Sequence, residues 1–261
     1  MYKKIEKTII DVINEYKPNN IFDFWKEAIV KTISANNKLF NTLKQYVSDE
    51  HFMPNDILMD AKSVIVYFIP FTEQIIMSNM KGISASREWA LAYIKTNDLI
   101  TKINNELENL MWSNNFSVGK LPATHNFDEK TLMSNWSHRH IAYIAGLGTF
   151  GLNNMLITES GCCGRLGSIV TNYDFGDYAE IDERKEKCLH KITGGCGLCQ
   201  KKCINAAYEN QMFNRKKCYE KCLENAEYYK MIGHADACGK CLVGLPCSMQ
   251  DPSKNIRALE F

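Results

Sequence analysis

Nine of the eleven cysteines lie in one segment of the C-terminal third, and this segment constrains the fold more than any other. They are Cys188, Cys196, Cys199, Cys203, Cys218, Cys222, Cys238, Cys241 and Cys247. Seven of them form two blocks with the spacings C-x7-C-x2-C-x3-C and C-x2-C-x5-C. A C-x2-C turn directs two thiolates towards one metal centre, because a tight turn puts side chains three positions apart on the same side. Two such turns with additional cysteines can supply eight ligands, which is enough for two four-iron clusters.

The way in which the cysteines pair can also be predicted. In bacterial ferredoxins with two clusters, the fourth cysteine of one run ligates the other cluster. The same crossing predicts two ligand sets here, one of Cys188, Cys196, Cys199 and Cys247 and one of Cys203, Cys218, Cys238 and Cys241. Cys222 is then a spare, and because it lies one helical turn from Cys218, the two could exchange roles.

Zinc is the main alternative to iron–sulfur clusters, because two C-x2-C pairs are also the spacing of zinc ribbons. The count and placement favour clusters, since runs of three cysteines with isolated partners resemble ferredoxins more than paired zinc knuckles. One feature departs from the ferredoxin pattern: Ile204, rather than a proline, follows Cys203.

Composition indicates an ordinary globular protein. The chain has 261 residues, of which 45% are hydrophobic and 23% charged, and this is enough for a substantial core. A formal net charge of +1 argues against a generally basic surface that binds nucleic acid. The sequence contains no run of 18 or more apolar residues, so no membrane span is expected. Charged residues interrupt the apolar pattern at the start of the chain, which is not typical of a signal peptide. We therefore expect a cytoplasmic protein without a membrane partner, whose thiols stay reduced and available to metals.

Hydrophobic patterning predicts a mixture of helices and strands. The apolar run SVIVYFIP at residues 63–70 predicts a central strand covered on both faces. Helical spacing predicts an amphipathic helix over residues 3–15, a second helix over 22–34, a long helix over 86–112 and one ending at Ala145. The charged stretch at 178–185 suggests a domain boundary, which gives an α/β domain at residues 1–180 and a cluster domain at 181–261.

Outside the cysteine segment, chemistry-bearing residues are concentrated at 124–172. His138, in the motif SHRH, can supply a proton near neutral pH, although a structural histidine is the plainer interpretation. Asp128 is a nearby carboxylate for which a solvated loop position is the default. The turn GLGTFG at 146–151 either ends a helix or lets the backbone approach a ligand. Cys162 and Cys163 are adjacent, and we interpret them as small buried residues.

The order of these features resembles the epoxyqueuosine reductase family and, behind it, the cobalamin-dependent reductive dehalogenases. The resemblance covers roughly residues 55–250. It is carried by AGLGTFGLNNMLITESGCCGRLGSIVTN at 145–172 together with the two cysteine blocks.

The resemblance implies an α+β fold, with a nitroreductase-like, cobalamin-binding α/β domain followed by a ferredoxin-like module with two [4Fe–4S] clusters. It implies an iron–sulfur oxidoreductase in which an external donor, such as a flavodoxin or a ferredoxin-like protein, reduces the clusters. The clusters would reduce a corrinoid, which would act on a small-molecule or modified-nucleoside substrate. By position in the family's motifs, the corrin contacts would be Gly146, Leu147, Gly148, Gly151, Gly167 and Ser168.

The sequence departs from the family at the catalytic acid. The family's aspartate position falls at Leu132, and the glutamate of the same motif falls at His138. The proton donor implied here is therefore His138 or the offset Asp128. The chain also leaves no room for the C-terminal extension with which longer relatives grip transfer RNA, so a tRNA substrate is doubtful. Two other functions stay open: a ferredoxin-type electron carrier without substrate chemistry, and a zinc-binding interaction protein.

Overall fold

A computed structural model describes residues 1–16, 23–122, 125–176, 178, 185–209 and 212–254. The helices are α1 (Tyr2–Glu15), α2 (Leu43–Tyr46), α3 (Pro54–Ile57), α4 (Glu73–Ser78), α5 (Arg87–Trp112), α6 (His138–Ile144), α7 (Leu189–Thr193), α8 (Leu198–Lys201) and α9 (Arg215–Tyr228), with a 3-10 helix at Lys38–Thr42. The strands are β1 (Ile29–Ser34), β2 (Ser63–Pro70), β3 (Val118–Lys120), β4 (Phe127–Asp128), β5 (Met133–Ser134), β6 (Gly148–Phe150), β7 (Leu156–Thr158), β8 (Gly164–Thr171), β9 (Tyr208–Glu209) and β10 (Met212–Phe213).

The main sheet has four antiparallel strands in the order β1-β2-β8-β3. All eight residues of β2 are buried, so the predicted central strand is confirmed. A strand with both faces covered must be apolar along its whole length, which explains why the run at 63–70 lacks the alternation of a half-exposed strand.

Helices cover the two faces of this sheet. On one face, Ile65 and Tyr67 of β2 pack against α1 and α5. On the other, Val64 and Val66 pack against the 3-10 helix and α6. The mixed α+β class is confirmed, and the long helix lies where its spacing predicts it. Ser86 begins α5, because its Oγ accepts a hydrogen bond from the backbone N–H of Trp89 at 3.0 Å.

The helix predicted over residues 22–34 is wrong, because this stretch contains the edge strand β1 instead. Ile29, Val30 and Ile33 are β-branched, and pairing with the buried β2 gives them a better surface than an isolated helix. Trp25, which belongs to the same helical pattern, lies in an irregular segment upstream of β1. This segment forms one isolated bridge, between Trp25 and Phe71. A long-range partner therefore decided the local structure.

The cysteine segment packs directly onto the α/β part. Leu242 and Val243 belong to the same buried cluster as Phe71 and Trp89. The β7–β8 turn also joins it through its backbone, because the N–H of Cys162 donates to the carbonyl of Cys247 at 2.9 Å. The predicted boundary between residues 180 and 181 lies outside the described residues, and the two-domain division stays a prediction. Within the described ranges, no helix is long and apolar enough to span a membrane.

Candidate metal centres and cofactor cleft

The first predicted cysteine set surrounds one small cavity. Cys188, Cys196, Cys199 and Cys247 all line a space of about 20 Å³. Cys188 precedes α7 and Cys199 lies in α8, so two short helices bring three of the thiols together. The remaining wall is mostly apolar and contains Leu152, Leu189, Leu198, Leu245, Pro246 and Pro252.

The second predicted set lies on the wall of a larger cavity, which has a volume of about 410 Å³. This wall holds Cys203, Cys218, Cys238 and Cys241, and it also holds Cys222. The backbone N–H of Ala207 donates to Cys203 Sγ at 3.3 Å. Amide hydrogen bonds of this kind help to set the reduction potential of protein-bound clusters.

The structure therefore sorts the eight cysteines into the two groups that the crossed pairing predicts. Their identity as ligands stays a prediction. The described residues contain one group of three or more His, Cys, Asp or Glu side chains with ligand atoms all within 4.8 Å of each other, and it contains no cysteine. Four thiolates around one zinc ion would lie about 3.8 Å apart, given Zn–S bonds of about 2.3 Å. The thiols are thus spread more widely than a single zinc ion requires.

Cys218 and Cys222 differ in their preferred ionisation, although both are on α9 and both face the cavity. A hydrogen bond from the Cys222 thiol is the main cause that lowers the pKa of Cys218, and the charge of Arg139 lowers it further. The same hydrogen bond and burial raise the pKa of Cys222 well above its usual range. A thiolate is the form that binds metals, and Cys218 rather than Cys222 as the ligand stays the prediction of the crossed pairing, with the two thiols close enough to exchange roles.

Tyr208 brings an unsatisfied polar group to this cavity. Its hydroxyl is buried and is the one buried side-chain polar atom of the described residues without a hydrogen-bond partner. Burial is the main cause that raises the pKa of Tyr208, and the nearby thiols of Cys241, Cys199 and Cys218 raise it further. A buried hydroxyl left without a partner is costly. A bound group that reached this hydroxyl would supply the missing partner.

A second cavity of about 320 Å³ adjoins the first. The two share six wall residues, namely Phe127, Leu132, Arg139, Met155, Gly164 and Arg165. Arg165 donates to Asn97 Oδ1 at 2.7 Å and stacks 4.2 Å from the centre of the Tyr93 ring. Gly164 allows the backbone to pass close to β2, because a Cβ here would lie 2.4 Å from the carbonyl oxygen of Ile69. Together the cavities form one cleft between the sheet and the cysteine segment, which we call the cofactor cleft.

His138 lines the second cavity, but all of its polar atoms already have partners. Its Nε2 lies 3.0 Å from the carbonyl of Pro122, and its Nδ1 lies 2.8 Å from Ser168 Oγ. The Ser168 hydroxyl accepts from Trp136 Nε1 at 3.0 Å, so it donates to Nδ1, and Nε2–H donates to Pro122. Burial lowers the pKa of His138 to about 4. The imidazole is thus neutral near pH 7 and fixes the surrounding chain, an arrangement that favours a structural role over the predicted proton transfer.

Asp128 lies outside the cleft walls. Its Oδ1 accepts hydrogen bonds from the backbone N–H groups of Lys130 and Thr131 and from the Thr131 hydroxyl. These bonds lower the pKa of Asp128. The side chain is exposed and stabilises the turn between β4 and β5. Its predicted catalytic role stays a prediction that this position does not favour.

The six predicted corrin contacts are dispersed. Gly151 lines the small cysteine cavity, while Gly146, Leu147, Gly148, Gly167 and Ser168 are absent from the described residues that line the cofactor cleft. Gly148 is needed for another reason, since a Cβ there would lie 2.1 Å from the carbonyl oxygen of Ile157 in the β6–β7 hairpin. Cys162 and Cys163 are buried, as predicted, and the Cys163 thiol donates to the carbonyl of Leu242 at 3.3 Å.

Sequence reasoning missed several residues of the cleft. Arg165, Tyr208, Arg215 and Asp236 line the larger cavity, yet no motif joins them. They come from β8, β9, α9 and the loop that follows α9. The only sequence signal is the position of Tyr208 and Arg215 between the two cysteine blocks.

Comparison with known proteins identifies the fold. No family model matches the chain, and no curated protein sequence matches it. Among solved structures, epoxyqueuosine reductase from Streptococcus thermophilus is 17% identical with a TM-score of 0.56, and the match covers all of this chain and 72% of that one. Epoxyqueuosine reductase from Bacillus subtilis, with its catalytic loop swung out of the active site, is 16% identical with a TM-score of 0.57 over 95% of this chain and 66% of that one.

A catabolic reductive dehalogenase also matches, at 15% identity and a TM-score of 0.58, over 89% of this chain and 31% of the dehalogenase. The chain therefore has the fold of epoxyqueuosine reductases and reductive dehalogenases, as the sequence resemblance predicts. It spans about two thirds of the reductases and about one third of the dehalogenase.

Proposed function

We propose that this protein is an iron–sulfur reductase that holds two [4Fe–4S] clusters and a corrinoid in the cofactor cleft. One observation carries the proposal: the eight predicted ligands line two separate cavities, four in each, and the larger of the two cavities also holds Cys222. The fold is shared with two kinds of reductase, which supports reduction as the type of reaction.

The donor groups fit iron–sulfur clusters. Cysteine thiolates are the usual ligands of four-iron clusters, and the thiols are spread more widely than one zinc ion needs. Cys188, Cys196, Cys199 and Cys247 would hold one cluster, and Cys203, Cys218, Cys238 and Cys241 the other. The amide of Ala207 and the unsatisfied hydroxyl of Tyr208 would supply hydrogen bonds to the second cluster.

The cleft also fits a large polar cofactor. Its two cavities are within the volume range of small-molecule and cofactor sites. Arg139, Arg165 and Arg215 would bind the amide and phosphate groups that surround a corrin ring, and Gly164 would let the backbone approach it. When bound, a corrinoid supplies a strongly reducing cobalt centre, and the protein supplies orientation and electrostatics.

The positions of the two cysteine groups suggest the order of electron transfer. The group that contains Cys241 lines the cleft, whereas the group that contains Cys199 lies in a separate, mostly apolar pocket. Asn153 lies between them, since it lines both cavities and donates to the Cys241 carbonyl at 3.2 Å. An external flavodoxin or ferredoxin-like donor would therefore reduce the Cys199 cluster first, and the Cys241 cluster would pass electrons to the cleft.

The substrate would be a small molecule or a modified nucleoside. One of the structural neighbours is an epoxyqueuosine reductase in complex with a modified tRNA stem loop, so a nucleoside is a reasonable first class to test. A protein with a net charge of +1 offers little general attraction for a whole tRNA.

Anaerobic reconstitution with iron and sulfide tests the proposal. We expect about eight iron atoms per chain, a brown colour and, after addition of cobalamin, a corrinoid that stays bound through gel filtration. Two clusters without retained corrinoid would instead identify an electron carrier. A colourless protein with about two zinc ions would reject both redox functions.

A further inference from the structure

We propose that His125, His234 and Asp236 form a separate binding site for a divalent transition-metal ion at the rim of the cofactor cleft. The proposal goes beyond the redox function above, because it uses none of the eight cysteines and needs neither cluster nor corrinoid.

The geometry is that of a metal site rather than of simple ion pairs. The ligand atoms of the three side chains all lie within 4.8 Å of one another. His125 Nε2 lies 3.8 Å and His234 Nε2 lies 3.7 Å from the same oxygen, Asp236 Oδ1. Direct hydrogen bonds would be about 2.7–3.2 Å long. Ligand atoms around a four-coordinate ion with bonds of about 2.0–2.1 Å lie about 3.4 Å apart, so each histidine nitrogen is a few tenths of an ångström farther from Asp236 Oδ1 than it would be around a bound ion.

A hydrogen bond from a buried tyrosine fixes the position of the Asp236 carboxylate. Tyr93 on α5 is buried, and its hydroxyl donates to Asp236 Oδ1 at 2.5 Å. Ligating carboxylates in metal sites are commonly oriented by such a hydrogen bond. The Asp236 side chain is only 6% exposed. The Tyr93 hydroxyl compensates the negative charge of this carboxylate only in part, and two imidazoles lie next to it.

The backbone around the ligands is also fixed. Ala235, between two of the ligands, is fully buried against Ala90 and Tyr93 of α5. The N–H of Ala237 donates to the carbonyl of Ala235 at 2.8 Å, which closes a tight turn at Asp236. His125 is one of five non-glycine residues of the described chain with positive φ, at +60°. Such a conformation is uncommon outside glycine, and it brings the His125 ring to 5.1 Å from the ring of His234.

The donor set defines the class of ion. Two imidazoles and one carboxylate bind Zn²⁺ in catalytic sites and Fe²⁺ in oxygenases, and both types keep open coordination positions. Both histidine side chains are about half exposed, at 47% and 59%, so an ion would keep positions open to water. His125 lines the second cavity and Asp236 the larger one. The ion would therefore lie where the two cavities meet and would tie the segment before β4 to the cysteine module.

Zinc binding to the iron-loaded protein tests this site. The holoprotein and its variants, all with the same measured iron content, are equilibrated with Zn²⁺, passed through a desalting column and measured for zinc and iron together. We expect one zinc ion per chain in the wild type and its loss in His234→Gln and in Asp236→Asn. Tyr93→Phe should weaken zinc binding about 10–100-fold in chelator competition, the usual cost of removing a partner of a ligand.

Two controls keep the result specific. His140→Gln and Asp174→Asn remove one imidazole and one carboxylate outside the site, and both should bind zinc as the wild type does. Equal iron content in all variants shows that they are folded and that zinc has not replaced iron at the cysteines. Equal zinc content in the wild type, His234→Gln and Asp236→Asn, whether one ion or none, would overturn the proposal. Failure of cluster assembly would count against the redox function alone, since the zinc comparison could still be made between these variants.

Discussion

The walls of the two adjoining cavities differ in whether the protein already satisfies their polar groups. In the second cavity, both nitrogens of the wall residue His138 have hydrogen-bond partners, which are the Ser168 hydroxyl and the Pro122 carbonyl. In the larger cavity, the Tyr208 hydroxyl is buried without a partner among the described residues, and five cysteines line the wall. Burial without partners is unfavourable, so a ligand that reached the Tyr208 hydroxyl would satisfy a group that the described part of the protein leaves unsatisfied. By sequence, the histidine in SHRH and the cysteines of the two blocks are all candidate functional residues, and only their surroundings in the structure distinguish them.

The largest expected effect is the loss of a whole cluster from the larger cavity. Cys241→Ser removes a proposed ligand, and we expect iron content to fall by about half, from about eight to about four atoms per chain. Cys222→Ser is the matched control, because Cys222 lines the same cavity but belongs to neither ligand set. It should keep about eight atoms. Iron analysis of both proteins after anaerobic reconstitution makes the comparison, and equal losses would show that the ligand set is wrong.

A smaller effect is expected in the second cavity, where protonation of His138 should make the free energy of unfolding depend on pH. Its pKa is about 4 in the folded protein and about 6.5 in the unfolded chain. The unfolded chain therefore binds more protons between these values, and the stability that His138 contributes is present above pH 6.5 and is lost as the pH falls towards 4. Between pH 7 and pH 5 this amounts to about 2 kcal/mol.

His138→Gln should remove that contribution, so its free energy of unfolding should fall by about 2 kcal/mol less than that of the wild type over the same interval. Denaturant unfolding of the cluster-free chain at the two pH values measures the difference. The same pH dependence in both proteins would contradict the buried, neutral state of this imidazole.

The smallest expected effect concerns Tyr208. Its hydroxyl would donate to the cluster in the larger cavity, and hydrogen bonds to cluster sulfurs raise the reduction potential because they stabilise the more negative, reduced state. Loss of about 1 kcal/mol in Tyr208→Phe corresponds to about 40 mV for one electron. Redox titration followed by electron paramagnetic resonance should show one of two clusters shifted downwards by this amount. A shift of both clusters, or of neither, would break the distinction between the two cysteine groups.

Sequence alone determined the parts of this protein that depend on local pattern. The cysteine spacing predicts metal-binding thiols, because short loops hold residues three positions apart close together, and the ligand sets that the ferredoxin-type crossing assigns stay a prediction. The apolar run of β2 and the helical spacing of α5 also predict their elements correctly, since burial of an entire strand or of one helical face leaves a clear pattern. The fold resemblance rests on the same ordered features, and the structural neighbours confirm it.

Tertiary structure alone decided the parts that depend on distant partners. β1 is a strand because β2 lies beside it, although its own spacing favours a helix. His138 is a neutral, fully bonded residue because Pro122 and Ser168 surround it. Asp236 gains its importance from Tyr93, which is 143 positions away. Contacts of this kind leave no periodicity or motif in a single sequence, because the free energy that selects them arises only when separate elements pack together.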